Sequence, residues 1–316
     1  MQIVPFTLPE SSPVLVVGAG GGFDFVCGLP IAFELEARGH EVHIANYSFT
    51  NLRSVTNAKA HSECLLEVTA DSASDDEYFP EKHLAMWLRH HRKDSRSIWC
   101  LGKYAVPQTL ESYRYLVARL KIHTVVCVDG GVDGIFRGDE TDLGTPSMDA
   151  VSIISASLCG AERRIYASVG FGTEGAEGQV CHAQALQRMA ELVAADASLG
   201  VGAILQNTAS GRDFLAAVDF IFGQMSPVRR SIMVSSLVAS INGAFGHTVV
   251  HPKTEERPPW LSPLTSLVWY FEADAVAKNK LFYEEAIRAK SLSELSDAIE
   301  AKRREFGVQP PSSIPI

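Results

Sequence analysis

The sequence predicts an α/β protein with a doubly wound, mostly parallel sheet of Rossmann-like kind and a helical C-terminal portion. Three observations carry this expectation. Residues 13–17 (PVLVV) and 123–128 (HTVVCV) are short, continuous apolar runs, the pattern of strands buried on both faces. Each ends in glycines that lead toward a segment of helical spacing. Strand and helix signals then alternate along the chain, as parallel crossover units do.

The first strand, 13–17, runs into Gly18-Ala19-Gly20-Gly21-Gly22. A helix over 29–38 follows, with Pro30 in its first turn and Gly39 as its stop. Residues 41–45 (EVHIA) are a second strand. Residues 48–78 are polar and weakly patterned, with Asp71, Asp75, Asp76 and Glu77 in an acidic run. They predict a solvated excursion loop. A helix over 80–91 precedes the basic residues Arg92, Lys93 and Arg96. A short strand at 97–101 and a helix at 107–120 lead to the second buried strand, which ends at Asp129-Gly130-Gly131.

Beyond it come a helix at 146–158, a strand at 164–169 and a helix at 181–195. A short strand at 203–206 and a helix over 212–223 continue the alternation. Ser226-Pro227 predicts a capped helix running to Asn242. A late strand is expected at 247–250, and helix over most of the remainder. Ser291 and Glu294 form a capping-box pattern, and Gly307 closes that helix. With no repeat and no linker, residues 1–307 read as one domain, and 308–316 as a fraying tail.

Composition narrows the function. The chain has 316 residues, 28 basic and 37 acidic, for a net charge of −9. That balance counts against a nucleic-acid binder, which usually presents a basic face. No apolar run approaches the roughly 20 residues of a membrane span. The N-terminus lacks the basic and apolar regions of a signal peptide. Six cysteines without a C-x-x-C pair suit reduced, packed thiols in a cytoplasmic protein. The expected partner is a small molecule. The tryptophan-bearing stretch 258–272 suits either core packing or a homo-oligomer interface.

Ligands of open parallel sheets bind beyond the carboxyl ends of the strands. Three polar loops occupy that position: 18–24, 129–140 and 170–182. In the first, Gly18, Gly20, Gly21 and Gly22 allow backbone approach to a phosphate or sugar, and Asp24 is a helix-entry cap or a general base. The match to G-x-G-x-x-G fails at Phe23, and the second strand ends in Ala45-Asn46-Tyr47 without an acid for a ribose. Both features count against NAD(P), which stays as the alternative cofactor. In the second loop, Asp129, Asp133, Asp139 and Glu140 are candidates for acid–base work or for holding a divalent cation such as Mg²⁺. Gly130 and Gly131 let that loop fold tightly, and Arg137 is a clamp for an anionic substrate. In the third, Thr173 is a substrate contact and Glu174 and His182 are catalytic candidates. A helix N-terminus at His182 is expected to hold its pKa down.

Several ordered motifs resemble the DUF1152 family. They are residues 16–42 (VVGAGGGFDFVCGLPIAFELEARGHEV), 78–88 (YFPEKHLAMWL), 128–140 (VDGGVDGIFRGDE), 170–175 (GFGTEG) and 262–281 (SPLTSLVWYFEADAVAKNKL). The resemblance covers nearly the whole chain and implies a Rossmann-like α/β domain. It carries no activity, because the family name itself records an unknown function. The first βαβ unit is also similar to the opening of GT-B glycosyltransferases, by fold analogy alone. The residues favour a cytosolic hydrolase, lyase or transferase acting on a nucleotide, nucleoside, sugar phosphate or similar anionic metabolite. The alternatives are an NAD(P)-dependent oxidoreductase and a non-catalytic metabolite-binding module.

Overall fold

The computed structural model describes residues 3–174 and 180–314. The chain opens with strand β1 (Val14–Gly18), a one-turn helix α1 (Asp24–Cys27), helix α2 (Leu29–Ala37) and strand β2 (Val42–Tyr47). Strands β3 (Lys59–Ser62) and β4 (Leu65–Val68), helix α3 (Pro80–Trp87), strand β5 (Ile98–Leu101) and helix α4 (Val106–Leu120) follow. Next come β6 (Thr124–Asp129), α5 (Pro146–Leu158), β7 (Arg163–Val169), α6 (His182–Ala194), β8 (Ser198–Ala203) and α7 (Ala209–Gly223). The C-terminal third holds α8 (Ile232–Ile241), the short strands β9 (Gly246–His247) and β10 (Trp260–Leu261), β11 (Leu267–Glu272), α9 (Ala273–Lys278), α10 (Tyr283–Arg288) and α11 (Leu292–Phe306).

One nine-stranded sheet has the order β3-β4-β5-β2-β1-β6-β7-β11-β8. Its centre, β5-β2-β1-β6-β7, is parallel. From β1 the chain winds outward through β2 and β5, then returns to pair β6 on the other side of β1. The reversal leaves a crevice between the ends of β1 and β6, where ligands of such sheets bind.

Alternation explains why these strands are apolar throughout. Leu15, Val17, Val125 and Cys127 enter one core with α4, α5 and α6. Val14, Val16, Val126 and Val128 enter the other with α2, α3 and α7. Helices thus cover both faces, which is the doubly wound arrangement the sequence predicts.

Several expectations are corrected. The 48–78 excursion contains a hairpin, β3–β4, that extends the sheet antiparallel to β5. Leu66 and Val68 bury against Phe79 and Cys100. Four-residue strands are too short to show a clear period. The expected helix from Ser226 to Asn242 is broken: Pro227–Arg229 makes one tight turn, Arg230 is extended, and Ser231 is the true cap of α8. The strand expected at 203–206 begins earlier, at Ser198, because Gly200 and Gly202 conceal it. A side chain at Gly202 would fall 1.8 Å from the Ile3 carbonyl oxygen, so close passage of the N-terminal segment demands glycine there. The late strand is a two-residue ladder, β9 with β10.

The largest departure is β11. The region beyond residue 250 was expected to be mostly helical, yet Leu267–Glu272 lies antiparallel between β7 and β8. Its β-branched and aromatic residues suit a strand. Tyr270 is fully buried, donates to the Ile3 carbonyl at 2.8 Å and meets Phe6 edge-on. The start of the segment expected as a tail makes contacts with the fold. Gln309 N donates to the Asp139 carbonyl at 2.7 Å, and Gln184 Nε2 donates to Pro310 O at 3.3 Å.

Among the described residues, no helix is long and apolar enough to cross a membrane. Replacing Tyr270 with alanine should cost about 3–5 kcal/mol in urea unfolding, the usual range for deleting a buried aromatic ring. A loss under about 1 kcal/mol would contradict a buried position for β11.

Candidate functional site

The glycine-rich turn after β1 brings Asp24 to the start of α1, where its Oδ2 accepts the Gly20 N–H at 2.6 Å. Strand β6 ends on Asp129, whose Oδ2 accepts from Tyr166 Oη at 2.6 Å and Gly134 N at 3.0 Å. The first turn of α5 supplies Asp149, held through Oδ2 by Thr145 Oγ1 at 3.0 Å. One oxygen from each of these three carboxylates lies within 4.8 Å of the others. Asp133 Oδ2 accepts from Thr145 N at 2.8 Å, and Glu174 Oε2 from Val132 N at 2.8 Å. Five carboxylates thus face one cleft of about 470 Å³ at the crevice between β1 and β6.

Glycine makes this crowding feasible. A methyl group at Gly20 would fall 2.1 Å from Asp149 Oδ1, and one at Gly130 would fall 2.7 Å from Asp24 Oδ1. The glycines after β1 and β6 therefore make room for the protein's own carboxylates. This also bears on the dinucleotide alternative. The Gly20 amide, which would meet a pyrophosphate, is engaged by Asp24. Asn46, at the end of β2, donates to Gly22 O and to the buried Glu81. No acid stands at the end of β2 to take a ribose.

Burial and mutual repulsion raise the proton affinity of the cluster. Burial, with the Asp129 charge next, holds the Asp24 carboxyl well above its usual range. Asp129 is pushed from 3.8 to about 7 by burial and then by Asp133. Asp149 is raised by burial and by Asp133, Asp129 and Asp24, and Glu174 by burial and by Asp133. The cationic neighbour Lys280 is itself 4% exposed, and its Nζ donates to the carbonyls of Gly134 and Phe136 at 2.9 and 3.0 Å. Lys280 ties down the loop that carries Asp129 and Asp133, and its charge lowers the Asp129 and Asp149 values. One ammonium does not balance five carboxylates. Near neutral pH the group shares protons or holds a cation.

The donor set suits a hard cation. Opposite oxygens around Mg²⁺ at 2.0–2.1 Å lie about 4 Å apart, and around Ca²⁺ at 2.3–2.6 Å about 5 Å apart. Three oxygens within 4.8 Å of one another are compatible with a shared hard divalent cation of either size.

The fold divides the sequence candidates. Asp24, Asp129, Asp133, Glu174, Gly20, Gly21, Gly22, Gly130 and Thr173 line the cleft. Gly131 lies behind it, against Glu174, and Gly18 packs on Asn46. The expected cation set Asp129, Asp133, Asp139 and Glu140 is split. Asp139 and Glu140 belong to a separate buried network, where Arg188 Nε meets Glu140 Oε1 at 2.6 Å and Arg188 Nη2 meets Asp139 Oδ1 at 3.4 Å. Arg137 pairs there with Asp139 at 3.3 Å and does not line the cleft. His182 packs against the Phe171 ring at 5.0 Å, and burial lowers its pKa. Gly175 and Glu177, also in the third loop, lie outside the described residues.

Sequence reading missed Asp149, Tyr166, Lys280 and the basic side of the cleft, Arg229, Arg230 and Lys253. Asp149 carried a usable signal. It sits one helical turn before Ile153 in a helix whose residues 149–157 are all buried, where a charged side chain stands out.

The chain belongs to the family described as "Protein of unknown function (DUF1152)", which it matches over residues 15–305. No curated protein and no solved structure matches it.

Asp129→Asn keeps an oxygen for Tyr166 and Gly134 while removing the charge. The native pKa of Asp129 is raised, so its contribution to stability is full below 3.8 and is lost as the pH rises through about 7. The variant should be more stable than the parent at pH 8, by on the order of 1 kcal/mol or more, with the gain shrinking toward pH 4. Thermal melts across that range test this, and a uniform loss at every pH would contradict it. Arg188→Ala, by contrast, strands two buried carboxylates and should cost about 3–5 kcal/mol in denaturant unfolding.

Proposed function

We propose that this cleft is the active site of a small-molecule enzyme of hydrolase, lyase or transferase type, acting on an anionic metabolite. One observation carries the reading. Carboxylates from three separate elements converge within 4.8 Å on the floor of an open cavity, at the reversal point of a parallel sheet. Such convergence opposes stability, because each buried charge raises the cost of the next. Arrangements of this kind cluster at functional sites.

The chemistry follows from the differing surroundings of the acids. Asp129, at about 7, exchanges a proton near neutral pH, which is what a general acid or base requires. Tyr166 stays protonated, since burial and then the Asp129 charge hold its pKa up, and it donates to Asp129 Oδ2. That bond leaves Asp129 Oδ1 as the atom for proton transfer. Asp24 and Asp149 sit beside it as further proton carriers or, ionised, as ligands to a divalent cation. Bound there, the cation would neutralise charge on the substrate and the floor. The cavity falls within the roughly 300–1,000 Å³ of small-molecule sites.

The test is a turnover screen of phosphorylated and carboxylated metabolites, with and without Mg²⁺ or Ca²⁺, on parent and Asp129→Asn protein. The expected result is that Asp129→Asn lowers kcat by about 10²–10⁴-fold, the usual contribution of a positioned acid or base. Undiminished turnover in that variant would overturn the assignment.

A further inference from the structure

The lining of the cleft carries both signs of charge: the carboxylate cluster, and a second group of residues from the segments around α8 and residue 253, namely Arg229, Arg230, Ser231 and Lys253. The break before α8 produces this second group. Arg229 ends the tight turn Pro227–Arg229, Arg230 is extended, and Ser231 caps the helix by accepting the Val234 N–H at 3.1 Å. That turn packs on the turn Pro252–Thr254, which brings Lys253 into the same group as Arg229.

These cations are not consumed by the acids of the cleft. None of the three forms an ion pair within 4.0 Å among the described residues. Arg230 lies over the Phe222 ring at 5.5 Å, and its Nε is shielded from solvent without a hydrogen-bond acceptor. A shielded guanidinium nitrogen with no acceptor is costly to keep, and an anionic group of a ligand would satisfy it. The glycine turn after β1 is less suited to that task, since Asp24 already engages the Gly20 amide.

We infer that the substrate is a phosphate ester whose phosphoryl group binds Arg229, Arg230 and Lys253, apart from the carboxylates. The inference rests on reading the cleft as the active site and adds the substrate class and its orientation. Three cations exceed what a single carboxylate neutralises, whereas a phosphoryl group carries nearly two charges and three acceptor oxygens. The first turn of α8, a ten-residue helix, also lines the cleft through Ser231, Ile232 and Met233, and a helix N-terminus adds partial positive charge there. The rest of the ester then extends toward the floor, where Asp129 stands.

Calorimetric titration with inorganic phosphate tests this, with acetate as the matched carboxylate probe. Phosphate should bind the parent at least tenfold more tightly than acetate. Arg230→Gln and, separately, Lys253→Gln should each weaken phosphate binding about tenfold or more, while Arg212→Gln, on the exposed side of α7, should not. No phosphate binding at 10 mM, equal binding of acetate, or undiminished binding in both cleft variants would overturn the inference. Melts of Asp129→Asn between pH 4 and pH 8 on the same preparations separate the two readings. If the floor titrates as expected and phosphate does not bind, the ester assignment alone fails.

Discussion

Electrostatic repulsion among carboxylates at the end of the parallel sheet is the constraint on which the rest of this molecule depends. Asp24, Asp129 and Asp149 approach within 4.8 Å, with Asp133 and Glu174 beside them. Left to themselves these groups would separate or draw in water. They stay because each is pinned by a donor from a rigid part of the fold: the Gly20 amide, the Tyr166 hydroxyl, the Thr145 hydroxyl and amide, and the Val132 amide. Each such bond to a charged acceptor is stronger than a neutral one, and together they offset part of the repulsion.

The scaffold is arranged to supply those donors. Tyr166 lies on β7 and reaches Asp129 on the neighbouring β6, so strand pairing sets that contact. Lys280 follows α9 and spans back to the carbonyls of the loop after β6. The insertion of β11 beside β7 places α9, and hence Lys280, under that loop. The strand least expected from the sequence is therefore tied to the geometry of the site.

The acidic residues between 129 and 140 divide into two parts with different surroundings. Asp139 and Glu140 pair with Arg188, Asp139 pairs with Arg137 as well, and Asp139 binds the tail through Gln309. They hold the structure together on one side of the loop. Earlier in the same stretch, Asp129 and Asp133 are left without a matching guanidinium and line the cleft. A loop that reads as one acidic run is thus half ion pair and half site. The difference arises because Arg188, on α6, reaches only the far half.

The parallel core, and the sheet edge that carries the candidate site, are legible in the spacing of apolar runs and glycine loops. Apolar runs buried on two faces have one solution, a sheet covered by helices on both sides, and the loops after β1, β6 and β7 must then share an edge. From the same spacing came Asp24, Asp129, Asp133 and Glu174 as neighbours. The remaining features come from packing between distant segments. Asp149 joins the cluster from inside a helix, and Arg229, Arg230 and Lys253 come from turns distant along the chain. Arg188 withdraws Asp139 and Glu140, while β11 enters the sheet late and antiparallel. These outcomes depend on which surfaces meet across the fold. Local periodicity reports how a segment lies against a core, but the partner of a charge is chosen by packing between segments that are remote in sequence.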